Sequence, residues 1–250
     1  MRKRSAAKRR KAAAMDLFDY MRANTMEKES PLASRMRPTT LDEVVGQKHI
    51  IGKDKLLYRA IKADKLGSVI FYGPPGTGKT TLAKVIANTT SARFEQINAT
   101  VAGKKDMEEI VKNAKDSIGM YGQKTILFVD EIHRFNKSQQ DYLLPFVEDG
   151  TITLIGATTE NPYFEVNSAL LSRGRVVELE HLKDEDIATL IERALEAPQG
   201  LNGKFSADED TVKTICTLAA GDARSALTTL ELASEIAVTR PDTEGTPAPA

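Results

Sequence analysis

The chain has 250 residues, 41% of them apolar, with 35 basic and 35 acidic side chains. That length suits one large domain, or a medium and a small one, with a real core. No apolar run approaches the ~18 residues a membrane span needs, so no membrane partner is expected. The single Cys216 excludes an internal disulfide framework and fits a reducing compartment. His49, His133 and His181 are too far apart in sequence for zinc-ligand spacing.

Charge is unevenly spread. Residues 1–11 hold seven basic side chains and no acid, which leaves 28 basic against 35 acidic elsewhere, a balance of −7. The globular part is therefore no nucleic-acid binder by bulk charge, and any such contact falls to local patches or to the arm. Composition leaves three readings of residues 1–14 open: a disordered basic tail, a nucleic-acid arm or a targeting segment. Residues 1–30 together read as a flexible arm, with the core beginning near Pro31.

The first strand expected is the apolar run 68–72, followed at once by Gly73-Pro74-Pro75-Gly76-Thr77-Gly78-Lys79-Thr80 and then Thr81 at the start of a helix over 79–90. A buried strand, a Gly-rich turn and a helix N-terminus make a phosphate-binding loop. Gly73, Gly76 and Gly78 accept backbone angles that a Cβ forbids and let main-chain N–H groups approach phosphate oxygens. The helix terminus favours an anion. Lys79 reaches the β- and γ-phosphates and the Thr80 hydroxyl binds Mg²⁺. The expected ligand is a nucleoside triphosphate, ATP, with Mg²⁺.

Strands follow at 93–97, 124–129, 151–157 and 175–179, with helices at 105–118, 137–147 and 166–171. This alternation predicts an α/β fold with a parallel sheet covered on both faces, whose ligand lies beyond the strand C-termini. The third strand ends in Asp130-Glu131. At this distance after a phosphate loop, Asp130 suits the Mg²⁺ shell and Glu131 suits activation of water. Two adjacent acids favour hydrolysis over transfer to a small metabolite. His133 is expected to pack or bond locally. The fourth strand leads into Thr158-Thr159-Glu160-Asn161-Pro162, where Thr159, with Asn161 second, is the polar side chain expected to reach between the phosphate loop and Glu131. After Leu182 the pattern is all helical, at 184–196, 207–219 and 222–238. Cys216 is expected in the core of this small helical unit, and residues 241–250 read as a disordered tail.

Arg37-Pro38-Thr39-Thr40-Leu41-Asp42-Glu43-Val44-Val45-Gly46-Gln47, the loop at 73–80, Asp130-Glu131-Ile132-His133-Arg134-Phe135-Asn136, the segment 156–162, Leu171-Ser172-Arg173 and Gly221-Asp222-Ala223-Arg224 stand together in one chain. In this combination, over about residues 15–240, the chain resembles an AAA+ ATPase of the clamp-loader clade. More narrowly it resembles the replication-associated recombination protein A family, which includes the Werner helicase-interacting protein.

The resemblance implies a P-loop AAA+ core over 31–180 with sheet order 5-1-4-3-2 and a helical lid over 181–240. The segment 37–47 would wrap the adenine side. Thr159 would be the first sensor, Arg224 the second sensor on the lid, and Arg173 a finger reaching the ATP of a neighbouring subunit. Such proteins continue for well over a hundred further residues that drive homo-oligomer assembly, so a truncated form is expected here. The implied function is DNA-stimulated ATP hydrolysis at stalled replication forks, on gapped, forked or ended DNA, in the cytoplasm at the nucleoid. A single-strand binding protein or a sliding clamp is a further partner, since Ala14-Met15-Asp16-Leu17-Phe18 resembles a clamp-docking peptide. Three alternatives stay open: a clamp-loader subunit, a Holliday-junction branch-migration motor, and a nucleotide-gated binding module with little turnover.

Overall fold

The computed structural model describes residues 30–239. The basic arm, the clamp-docking motif and the 241–250 tail lie outside the described residues.

In chain order the elements are α1 (Leu32–Arg35), a 3-10 turn (Leu41–Glu43), α2 (Lys48–Ile51), α3 (Leu56–Lys62), β1 (Ser68–Tyr72), α4 (Lys79–Thr89), β2 (Arg93–Asn98), α5 (Lys104–Tyr121) and β3 (Thr125–Asp130). A second 3-10 turn (Ile132–Arg134) leads to α6 (Lys137–Glu148), β4 (Ile152–Thr158), α7 (Pro162–Glu165), α8 (Ser168–Leu171) and β5 (Gly174–Glu178). The helices α9 (Asp184–Glu196), α10 (Glu209–Ala219) and α11 (Ala223–Thr239) complete the described chain.

All five strands are parallel, in the order β2-β3-β4-β1-β5, which is the expected 5-1-4-3-2 read from the other edge. The strand period of two explains the two cores. Val69 and Phe71 of β1 and Phe128 of β3 face one layer with Leu82, Ile86 and Ile61. Ile70, Leu127 and Val129 face the other, with Met107, Val111 and Leu143. β3 and β4 are buried on both sides, hence their near-continuous apolar runs.

A third core belongs to the helical unit, where Ile187, Ile191, Ile215, Cys216, Leu227 and Leu230 pack together. Cys216 is a core residue there, and burial pushes its thiol pKa up. Leu32 is fully buried in this cluster. Its N–H donates to Glu231 Oε1 at 2.8 Å, and Arg35 pairs with the same carboxylate at 3.2 Å. So α1 rides on the lid although it precedes the sheet in sequence.

Two local differences have clear causes. The helix expected over 166–171 starts at Ser168, and a further short helix, Pro162–Glu165, precedes it. Asn161 Oδ1 accepts the Tyr163 N–H at 3.0 Å and Asn167 Oδ1 accepts the Ala169 N–H at 2.9 Å, so each asparagine starts its own helix. The helix expected from 207 starts at Glu209 because Asp208 caps it, accepting the Thr211 N–H at 2.8 Å. Pro145 sits inside α6 without ending it. Among the described residues no helix is long and apolar enough to cross a membrane.

Candidate nucleotide site

A cleft of about 630 Å³ opens at the C-terminal edge of the sheet, between the loop after β1, the 37–47 segment and the lid. It is lined by residues 75–81, Asp130, Glu131, Thr159 and Arg224. Four separate elements thus bring the expected residues to one place, as the topology of parallel sheets directs.

The loop has the left-handed backbone the sequence suggests, with φ +68° at Gly76 and +97° at Gly78. Gly76 is also a contact point: a Cβ there would overlap the Asp222 carboxylate. The Gly76 carbonyl accepts the Ala223 N–H at 3.2 Å. The lid therefore touches the loop by backbone, one residue before Arg224. Lys79 Nζ donates to the carbonyls of Gly73 and Pro74, each at 2.6 Å. Burial pushes the Lys79 ammonium pKa down, Glu131 and Asp130 oppose that shift, and Arg224 adds to it. Two cations and three carboxylates, Asp222 being the third, thus share one electrostatic site.

Four further hydrogen bonds hold the walls. Gln47, itself at φ +52°, donates through Nε2 to the Glu180 carbonyl at 2.7 Å and the Thr77 carbonyl at 3.3 Å. Its Oε1 accepts the Glu180 N–H at 3.2 Å. Arg193 of α9 donates to the Glu43 carbonyl at 2.8 Å. Core, loop, entry segment and lid are stitched together at the cleft itself.

At the sheet edge Glu131 has φ +54°, rare for a residue with a Cβ. Its Oε2 is buried and has no hydrogen-bond partner. Thr158 is fully buried, and Thr159, the expected sensor, is exposed on the cleft wall. Arg173 lies elsewhere. Its guanidinium pairs with Glu148 at 2.6 Å and donates to Ser172 Oγ at 2.7 Å, with 43% of the side chain exposed. It does not line the cleft of its own chain.

Among the described residues no group of three or more His, Cys, Asp or Glu could hold a metal. The cleft still fits Mg²⁺, because Thr80 and Asp130 offer hard oxygen donors there and Mg²⁺ commonly takes few protein ligands alongside nucleotide phosphates. Sequence reasoning passed over Asn98 and Arg193. Asn98 pairs in register with Asp130 and lines the cleft. Its place at a strand C-terminus was the available signal.

Residues 69–183 match the model of the ATPase family associated with various cellular activities (AAA). Replication-associated recombination protein A of Coxiella burnetii is 52% identical over 210 residues, covering 83% of this chain and 47% of that protein. The Escherichia coli K12 protein of the same name is 52% identical over 209 residues, covering 83% and 46%. ATPase WRNIP1 of Dictyostelium discoideum is 45% identical, covering 82% of this chain and 23% of that protein. Among solved structures, the Thermotoga maritima RuvB Holliday junction branch migration motor superposes with a TM-score of 0.69 at 28% identity, covering 82% of this chain and 67% of that one. The chain spans about half the length of these two bacterial relatives. With an AAA match through the sheet and half its aligned residues shared with these relatives, the chain carries an AAA ATPase core and is similar over most of its length to replication-associated recombination protein A.

Proposed function

We propose that this chain hydrolyses ATP in the cleft and couples the reaction to DNA at stalled replication forks. One observation carries the reading: Lys79, Asp130, Glu131 and the lid residue Arg224 meet in one cleft, and the lid contacts the phosphate loop directly.

Lys79 exchanges the Gly73 and Pro74 carbonyls for β- and γ-phosphate oxygens, joined there by the backbone N–H groups of the loop. Thr80 and Asp130 would hold Mg²⁺, which when bound neutralises phosphate charge. Glu131 orients a water molecule and accepts its proton as the water oxygen bonds to the γ-phosphorus. The bond from that phosphorus to the bridging oxygen breaks, and ADP departs from phosphate. Thr159 senses the γ-phosphate from the sheet and Arg224 from the lid. Arg173 faces a second copy and serves that copy's ATP. Loss of the γ-phosphate releases the lid from the loop, and lid and core rotate.

The relatives' names support replication and recombination as the setting, and RuvB's title names a branch-migration motor. Gapped, forked or ended DNA is the proposed substrate surface, with a homo-oligomer as the working form and a single-strand binding protein or sliding clamp as candidate partners, in the cytoplasm at the nucleoid. The test is phosphate release with and without gapped and forked DNA. The reading expects a several-fold stimulation by such DNA. Identical rates with and without every DNA would remove the DNA coupling and leave a bare ATPase.

A nucleotide-gated module with little turnover is the second reading. It is favoured by Arg173, which is occupied by Glu148 of its own chain. Slow turnover with tight ATP binding at every protein concentration would select it.

A further inference from the structure

Glu131 poses a local problem. Its Oε2 is buried without a hydrogen-bond partner, and a carboxylate oxygen shut away from water without a donor is costly. His133 Nδ1 lies 3.4 Å from it, on a ring whose side chain is 8% exposed. The same Nδ1 lies 2.9 Å from Thr158 Oγ1, which accepts the Glu160 N–H at 3.0 Å. Thr158 is the last residue of β4, next to Thr159.

The proton position on the ring follows from these neighbours. A bare Nδ1 would turn its lone pair toward a buried carboxylate oxygen, which repels it. A proton on Nδ1 instead is hydrogen-bonded to Thr158 Oγ1 at 2.9 Å and attracts the Glu131 Oε2 charge 3.4 Å away without a full hydrogen bond to it. The left-handed backbone at Glu131, φ +54°, strengthens the case, because such strain persists only where surroundings hold it.

We infer that His133 is a positioning residue for Glu131: its Nδ1–H links the carboxylate to Thr158, so the aim of the base follows the end of β4 beside the γ-phosphate sensor. This rests on the reading of Glu131 as the base. Exchange of the Nδ1–H between Thr158 and Glu131 then reports movement of β4 to the water-activating group.

Two measurements test it. In the full chain, His133→Asn places an amide nitrogen where Nδ1 sits, whereas His133→Gln places it where Nε2 sits. His133→Gln and His133→Ala should lower kcat about 10- to 100-fold, the scale of a misaimed catalytic group, with KM for ATP changed less than about threefold. His133→Asn should recover most of the loss. Equal activity of the Asn and Gln variants overturns the inference. Should the variants fold poorly, ring ¹⁵N–¹H correlation spectra of the wild-type chain decide: a proton on Nδ1 of His133 supports the inference, and a bare Nδ1 with the proton on Nε2 overturns it. Glu131→Gln run alongside separates the two layers. If that variant keeps full turnover, the base assignment fails. If it is inactive while His133→Gln turns over like wild type, only the role of His133 fails.

Discussion

Glu131→Gln will bind ATP with near wild-type affinity and hydrolyse it about 10³-fold more slowly, within the range expected for loss of a general base. Glutamine keeps the size and one oxygen acceptor but cannot take a proton from water. The substitution is also mild for the fold. The Glu131 side chain is about one-third exposed, and its buried Oε2 makes no hydrogen bond that would be lost. Replacing it by a neutral amide removes the charge on a carboxylate whose Oε2 is buried without a donor, so the melting temperature should hold or rise. Phosphate release under ATP saturation measures the first effect and a nucleotide titration the second. A variant that turns over like wild type would take the base role away from Glu131 and return the site to simple nucleotide binding.

Arg173→Ala is expected to cost about 10³-fold in turnover at protein concentrations that drive self-association, roughly 4 kcal/mol of transition-state stabilisation. ATP binding to isolated chains should be unchanged, because Arg173 does not line its own cleft. Its ion pair with Glu148 is half exposed on both sides. Such a surface pair is worth at most about 1 kcal/mol, so a phosphate in a neighbour's cleft can displace it. Mixing supplies the decisive comparison. Arg173→Ala contributes an intact Glu131, and Glu131→Gln contributes an intact Arg173, so an equal mixture should recover activity that neither variant has alone. Strictly additive rates on mixing would show that no finger acts between copies.

Much of this was legible from residues alone, for physical reasons. The run Ile126-Leu127-Phe128-Val129 reads as a strand buried on both faces, and the structure buries all four. The loop at 73–80 announces itself because its glycines, lysine and threonine have few other reasons to stand in that spacing after an apolar strand. The resemblance supplied the sheet order, since periodicity carries no neighbour information. The short helices between Leu32 and Lys62 went unread: pieces of three to seven residues show no full amphipathic period. That α1 belongs to the lid depends on Glu231, some 200 positions away. The pairing of Arg173 with Glu148 and the placing of His133 between Thr158 and Glu131 are tertiary facts of the same kind.

The central claim is that ATP sits in the cleft between loop and lid, held by Lys79. Calorimetric titration of Mg-ATP into the wild-type chain and into Lys79→Ala tests it most directly. The wild type should bind about one ATP per chain. Lys79→Ala should lose at least about 100-fold in affinity, the worth of a charge-assisted contact to phosphate in a half-buried site, while its melting temperature without nucleotide stays within a few degrees. Equal affinity of the two chains for ATP would contradict the placement of the nucleotide and every role assigned around it.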